Sequence, residues 1–143
     1  MKTLALQGGD LVVGPQGHKT ITASPKIRQD LALALGEQYG GDRFHPTWGS
    51  MLPSYVGRPI TADSELLVRS ETARVVQVYI DVQRAEIVND TLAGKRSRYT
   101  TADVVARLDD IHATFSFDSI RVKLLLTTQS QESITLSRTV TTA

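Results

Sequence analysis

Cysteine is missing from the sequence altogether. Its absence excludes disulfides, thiolate metal sites and cysteine nucleophiles together. A charge of one sign is missing too: 16 Lys plus Arg meet 15 Asp plus Glu, a net charge of +1. Such a chain lacks the positive field of a dedicated DNA-binding domain and has no acidic tail that would seek a basic partner. Long apolar runs are also absent. Met1-Lys2-Thr3-Leu4-Ala5-Leu6 opens like a signal peptide but stops at Gln7-Gly8-Gly9-Asp10, and no later stretch approaches the ~20 apolar residues that span a bilayer. The expectation is a soluble chain made in the cytoplasm, with neither nucleic acid nor membrane as partner. What remains is ordinary globular composition, 41% hydrophobic and 22% charged over 143 residues. That length suits one domain burying roughly 68–70% of its unfolded surface.

The local signals predict an α+β fold. Leu4 to Leu6 and Leu11-Val12-Val13 are β-prone, and Gly14-Pro15-Gln16-Gly17 is a turn signal, so an N-terminal strand or hairpin is expected. Ser24-Pro25 supplies an N-cap and a Pro at the first helical position. Ile27, Leu31 and Leu35 then recur as the apolar stripe of an amphipathic helix that Gly40-Gly41 can stop. From Gly40 to Pro59, glycines and prolines alternate with Phe44, Trp48 and Tyr55, which predicts an ordered aromatic loop packed on the core. Thr61 or Asp63 can cap a long helix. Val75 to Ile80 has strand chemistry, but its flanks are helix formers and no turn residue interrupts Ser64 to Gly94, so one helix to about Gly94 is expected. A short helix is predicted from Thr100 or Thr101 through Leu108. Beyond it Ile120, Val122, Leu124 and Leu126, then Ile134, Leu136 and Val140, alternate with polar residues around Gln129 to Glu132, the pattern of a C-terminal antiparallel β-hairpin.

Few residues suggest chemistry. His18, His45 and His112 are scattered, without the spacing of a metal site, and neither glycine-rich piece is followed by the Gly-Lys-Ser/Thr of a phosphate loop. No cofactor or metal is expected. Glu37 and Asp42 are the nearest approach to a glycosidase carboxylate pair. More simply, Glu37 pairs with Arg43 or Arg58 at the helix end and fixes the loop. Lys95, Arg96 and Arg98 form an exposed basic turn.

One segment carries a family resemblance. Leu33-Ala34-Leu35-Gly36-Glu37-Gln38 and Phe44-His45-Pro46-Thr47-Trp48-Gly49-Ser50 occupy the places of a pattern like L-x-T-x-x-G-E-R followed by an aromatic before Gly-Ser. The chain therefore resembles the lysozyme-like baseplate wedge proteins of contractile-tailed phages, the sheath initiators, a family that also includes a baseplate subunit of type VI secretion systems. The family's order, an extended piece, an amphipathic helix, a long helix and a C-terminal hairpin, is the order predicted above. Two departures stand out. Gln38 replaces the usual Arg, and the Glu-Pro-Arg stretch is missing, with Asp109-Asp110-Ile111 in its place after an apparent inserted helix.

The resemblance implies a structural role without enzymatic activity, in the tail baseplate of a virion assembled in the host cytoplasm. The partners it implies are the tail sheath protein, baseplate wedge subunits and tail tube or hub proteins. The interface residues expected from it are Glu37, Arg43, Trp48 and Arg58 toward the wedge and tube, and Arg121, Lys123, Ile134, Leu136 and Arg138 along a hairpin edge that accepts sheath strands. Residues 133 to 143 are expected to be needed for seeding sheath and dispensable for folding. Two alternatives stand beside this reading: a peptidoglycan hydrolase using Glu37, and a small neck or tail-completion protein.

Overall fold

The computed structural model describes residues 1–142. Its N-terminal arm folds back on itself in six two-residue strands: β1 (Thr3–Leu4), β2 (Leu6–Gln7), β3 (Asp10–Leu11), β4 (Val13–Gly14), β5 (Gly17–His18) and β6 (Thr20–Ile21). β1 pairs with β6, β2 with β3 and β4 with β5, all antiparallel. Gly8 and Gly9 turn the first hairpin with φ of 60° and 87°, a conformation that favours glycine. At the centre, Ala5 is buried and exchanges backbone hydrogen bonds with both Lys19 and Val12.

Helix α1 (Ala23–Gly36) buries Ile27, Leu31, Ala34 and Leu35, the predicted stripe. Its start differs from the expectation. Ser24 does not cap the helix; its hydroxyl donates to Glu132 Oε1 at 2.6 Å. The cap comes from 80 residues away, where Asp103 Oδ1 accepts the Ala23 N–H at 2.8 Å. That bond holds Ala23 at a φ of 54°, a left-handed conformation that costs a non-glycine residue about 1–2 kcal/mol. The helix also stops before Gly40-Gly41, because Ser50 Oγ donates to the Leu35 carbonyl at 2.6 Å and closes the last turn.

After the one-turn α2 (Leu52–Tyr55), helix α3 (Ser64–Leu92) runs as predicted, through the β-prone Val75–Ile80 stretch. Its buried side includes Val68, Val75, Val76, Tyr79 and Ile80, so tertiary packing takes up the apolar residues that in isolation suit a strand. Tyr79 donates its hydroxyl to Asp30 at 2.9 Å, and Asp30 also binds Lys26, which gives α1 and α3 a half-buried polar tie. Burial, then the Asp30 carboxylate, pushes the Tyr79 phenol far above its ordinary value.

The C-terminal third corrects the sequence reading. The short helix does not form: β7 (Val105–Phe115) makes a three-stranded antiparallel sheet with β8 (Ser119–Thr128) and β9 (Ser133–Thr141), in the order β7-β8-β9. Asp109-Asp110-Ile111 thus lies within a strand, not after an inserted helix. The reason is visible in the register, which shifts between Val105 and Arg107 and again between Leu108 and Asp110. Each irregularity displaces the alternation, so Val105, Leu108 and Ile111 fall three apart, a spacing that imitates one face of a helix. Thr100 likewise imitates a helix start, but its N–H and hydroxyl close a turn on Asp103 at 2.9 and 2.8 Å. The sheet's inner face buries Ile120, Val122, Leu124, Leu126, Ile134, Leu136 and Val140 against α1 and α3, while Arg121, Lys123, Thr135, Ser137 and Thr139 face outward.

Gln83, 2% exposed, joins α3 to this sheet. Its amide donates to the Asp103 carbonyl at 2.8 Å and its oxygen accepts the Val105 N–H at 3.1 Å, as a neighbouring strand would. Replacing it with Leu (Q83L) leaves two buried backbone groups unpaired, and urea denaturation should show a loss of about 2–4 kcal/mol; a loss under about 0.5 kcal/mol would refute the clamp. Asp103 gives a pH prediction. Its burial would raise its pKa, but the bonds from Thr100 and Ala23 outweigh this and bring it down from 3.8 to about 2. A depressed carboxylate contributes stability above pH 3.8 that disappears as the pH falls through about 2. Asp103→Asn should therefore lose on the order of 1–2 kcal/mol at neutral pH and flatten the acid limb of the stability profile, allowing for solvent screening. An unchanged acid limb in that variant would contradict the assignment.

Candidate interaction surface

The segment after α1 is a clasp. Ser50 N–H donates to the Glu37 carbonyl at 2.8 Å, Tyr39 N–H to the Ser50 carbonyl at 2.9 Å, and Gly40 N–H to the Trp48 carbonyl at 3.2 Å. Gly49 sits at the crossing with a φ of 95°, and a Cβ there would meet the Gln38 and Glu37 carbonyl oxygens at 2.8 and 2.9 Å. Only glycine fits, which gives the Gly49-Ser50 pair of the sequence pattern a physical role. The clasp is then bolted to α3. Arg74 donates to the Gly49 carbonyl at 2.9 Å and forks onto Glu71 at 2.7 and 2.9 Å, while Glu71 accepts the Met51 N–H at 2.8 Å. The Arg74 guanidinium also lies 4.9 Å from the centre of the Tyr39 ring. Burial works to raise the Glu71 pKa, but the Arg74 and Met51 bonds hold it below its ordinary value.

The expected pairing of Glu37 with Arg43 or Arg58 does not form; the loop is braced instead from α3 by the Glu71–Arg74 ion pair. Glu37 and Arg43 are exposed, and Arg58 stacks at 5.4 Å over Tyr55. Trp48 is half-buried against the core, whereas Phe44, expected to pack, is 86% exposed. Asp42 accepts from the Phe44 N–H at 2.8 Å and contacts His45 Nδ1 at 2.7 Å. The His45 bond, then the Phe44 N–H, holds Asp42 below its ordinary pKa, opposite to the shift a glycosidase general acid requires.

The second part of the surface is β9. Ile134 and Leu136, expected at an interface, are core residues at 0% and 6% exposure; their side chains serve packing. What β9 offers outward is backbone. Thr128 N–H donates to the Glu132 carbonyl at the hairpin end, and from there the register alternates: Ile134, Leu136, Arg138 and Val140 bond to β8, while Ser133, Thr135, Ser137 and Thr139 direct N–H and C=O away from it. No register shift interrupts the β8–β9 pairing, unlike β7, so β9 is the regular edge. Basic side chains surround it. Arg121 Nε lies 3.3 Å from Thr139 Oγ1 and Lys123 is exposed beside it on β8. Arg138 reaches the C-terminal end of α1, where a Cβ on Gly36 would stand 2.6 Å from its Nη2. A cation suits that end of a helix, and α1 has no basic residue of its own in its last turn. Arg138 thereby brings the β9 edge next to Glu37 and the clasp, which the sequence reading kept as separate surfaces.

A solved structure shares this fold. It is a protein of Geobacter sulfurreducens provisionally designated a tail lysozyme, with a TM-score of 0.57, 11% identity, and coverage of 82% of this chain and 89% of that one. At that identity the likeness establishes the α+β fold alone. The sequence matches no protein-family profile and no curated protein.

Sequence reasoning missed Glu71, Arg74 and Gln83. Glu71 and Arg74 stand three apart on a helix, an ordinary surface pair by spacing alone, and nothing local marks them as buried. Trp48, the single tryptophan, reports on the clasp. Arg74→Met should increase acrylamide quenching of its fluorescence while far-UV helix signal is kept, at a cost of about 1–3 kcal/mol in stability. Unchanged quenching would show that the clasp holds without α3.

Proposed function

We propose that this protein is a structural part of a contractile-tail baseplate that joins wedge to tube and nucleates the sheath by accepting strands on β9. The observation that carries this is the regular β9 edge, which has no strand on its outer side and only the Arg28 Nε on its Thr135 carbonyl, backed by a rigid core and bordered by basic side chains that keep it soluble before assembly. Its partners in this reading are the tail sheath protein, on β9, and wedge subunits and tube or hub proteins, on the clasp with Glu37, Arg43, Trp48, Phe44 and Arg58. The family resemblance and the fold shared with the protein designated a tail lysozyme both support it. Its place is the virion baseplate.

A hydrolase is the second reading, favoured by the designation of the similar structure and by a shallow depression of about 400 Å³ containing Asp42, His45, Trp48 and Glu86. Both carboxylates are engaged: Asp42 with His45, and Glu86 with the Tyr99 hydroxyl. Release of soluble fragments from purified peptidoglycan, abolished by Glu86→Gln or Glu37→Gln, would replace the structural reading.

The expectation that residues 133 to 143 are dispensable for folding fails, because β9 supplies Ile134, Leu136 and Val140 to the core. The test must spare them. Ser137→Pro removes one outward N–H from an edge position where Pro is tolerated, and Ser137→Ala keeps it. Particles assembled with S137A should carry normal sheaths and those with S137P should be largely bare, both proteins remaining folded by circular dichroism. Normal sheaths on S137P particles would overturn the proposal, as would cross-linking of this edge to neck proteins instead of sheath.

A further inference from the structure

The acids and bases of this nearly neutral chain are not disposed alike. Asp30, Asp42, Glu71, Asp90, Asp103 and Asp109 each pair with a cationic or histidine group of the same chain. Around β9 the opposite holds. Lys19, Arg28, Arg121, Lys123 and Arg138 have no carboxylate within ion-pair distance among the described residues. Formal neutrality thus conceals a cationic edge.

That edge adjoins a groove of about 820 Å³ between α1, the N-terminal arm and β9. Ala32, Leu33 and Leu136 give it an apolar floor, Arg28, Arg138 and Lys19 stand around it, and no Asp or Glu lines it. Arg28 is anchored where β9 begins, its Nε donating to the Thr135 carbonyl at 3.2 Å. Arg138 lies at the level of Gly36, eight residues further along α1, which is ~12 Å at 1.5 Å per residue. A strand added to β9 would direct every second side chain to this face of the sheet, and positions four apart on it are separated by ~13 Å. The two spacings match.

We infer that the strand accepted by β9 carries the pattern acidic-x-apolar-x-acidic on its groove-facing side, the apolar side chain seated on Leu33 and Leu136 and the two carboxylates on Arg28 and Arg138. The inference rests on the strand-acceptor reading and adds the chemistry of the occupant: an anionic extended segment of a partner protein. An edge with unpaired backbone accepts many strands, and the uncompensated cations select among them by the cost of leaving a neutral or basic strand beside them.

The test uses the whole, isotope-labelled protein and three capped seven-residue peptides: Ser-Glu-Thr-Val-Thr-Glu-Ser, its Gln-for-Glu counterpart and its Lys-for-Glu counterpart. The acidic peptide should shift the amide resonances of Ser137 and Thr139, bind at least ~10-fold more tightly than the Gln peptide, and weaken as salt rises. The Lys peptide should not bind. Arg28→Gln with Arg138→Gln should erase the preference for the acidic peptide over the Gln peptide, while the protein still folds and both peptides still shift the β9 amides. Equal binding of acidic and Gln peptides, both shifting the β9 amides, overturns the charge pattern and leaves the strand acceptor standing. If none of the three peptides shifts those amides, both fall.

Discussion

Everything in this fold leans on the turn at Asp103 and on Gln83 beside it. The carboxylate of Asp103 caps α1 from across the chain, and its carbonyl and the next strand's first N–H are held by Gln83 from the middle of α3. One polar cluster, largely shut off from water, therefore sets where α1 starts, how α3 lies and where β7 begins. Buried polar groups of this kind cost several kcal/mol if left unpaired, and so they tolerate one arrangement only. The apolar core supplies the driving force for collapse; this cluster decides which collapsed arrangement is adopted.

From that fixed frame follow two surfaces of different character. The clasp after α1 is a loop made rigid by a glycine that allows a close backbone crossing, a serine that finishes the helix, and the Glu71–Arg74 pair on α3. It presents Phe44 and Trp48 on a backbone with little freedom, so little ordering entropy remains to be lost on contact with a neighbour. The β9 edge is different: its side chains are divided between the core and solvent-exposed positions, and its first recognition element is the backbone itself. Arg138 at the end of α1 makes the two adjacent. A protein that must meet several neighbours in one assembly is served by such contiguity.

Net charge misleads here in an instructive way. The chain is almost neutral because acids and bases are nearly equal in number, but six of the acids pair with groups elsewhere in the chain, while the bases around β9 have no carboxylate within ion-pair distance among the described residues. An electrostatic preference can therefore exist without any excess in composition.

The parts of the fold legible in the sequence were those whose period survives intact. The stripe of α1, the span of α3 and the alternation of β8 and β9 follow from residue spacing, because each buries one unbroken face. β7 was illegible because register shifts set Val105, Leu108 and Ile111 at helical spacing, and Thr100 offered a cap that is used as a turn. Of the candidate surface, the clasp's Gly49 and Ser50 were visible as a motif, and Arg121, Lys123 and Arg138 as basic residues on a strand. Ile134 and Leu136 were misplaced because alternation tells which residues share a face but not whether that face is covered. By itself the sequence determined the periodic elements and excluded thiol chemistry and a strong overall field. Only the tertiary structure decided that Asp103 caps a helix 80 residues away, that Glu71 and Arg74 hold a loop, and that β9 ends the sheet, since contacts between distant residues leave no period in the chain.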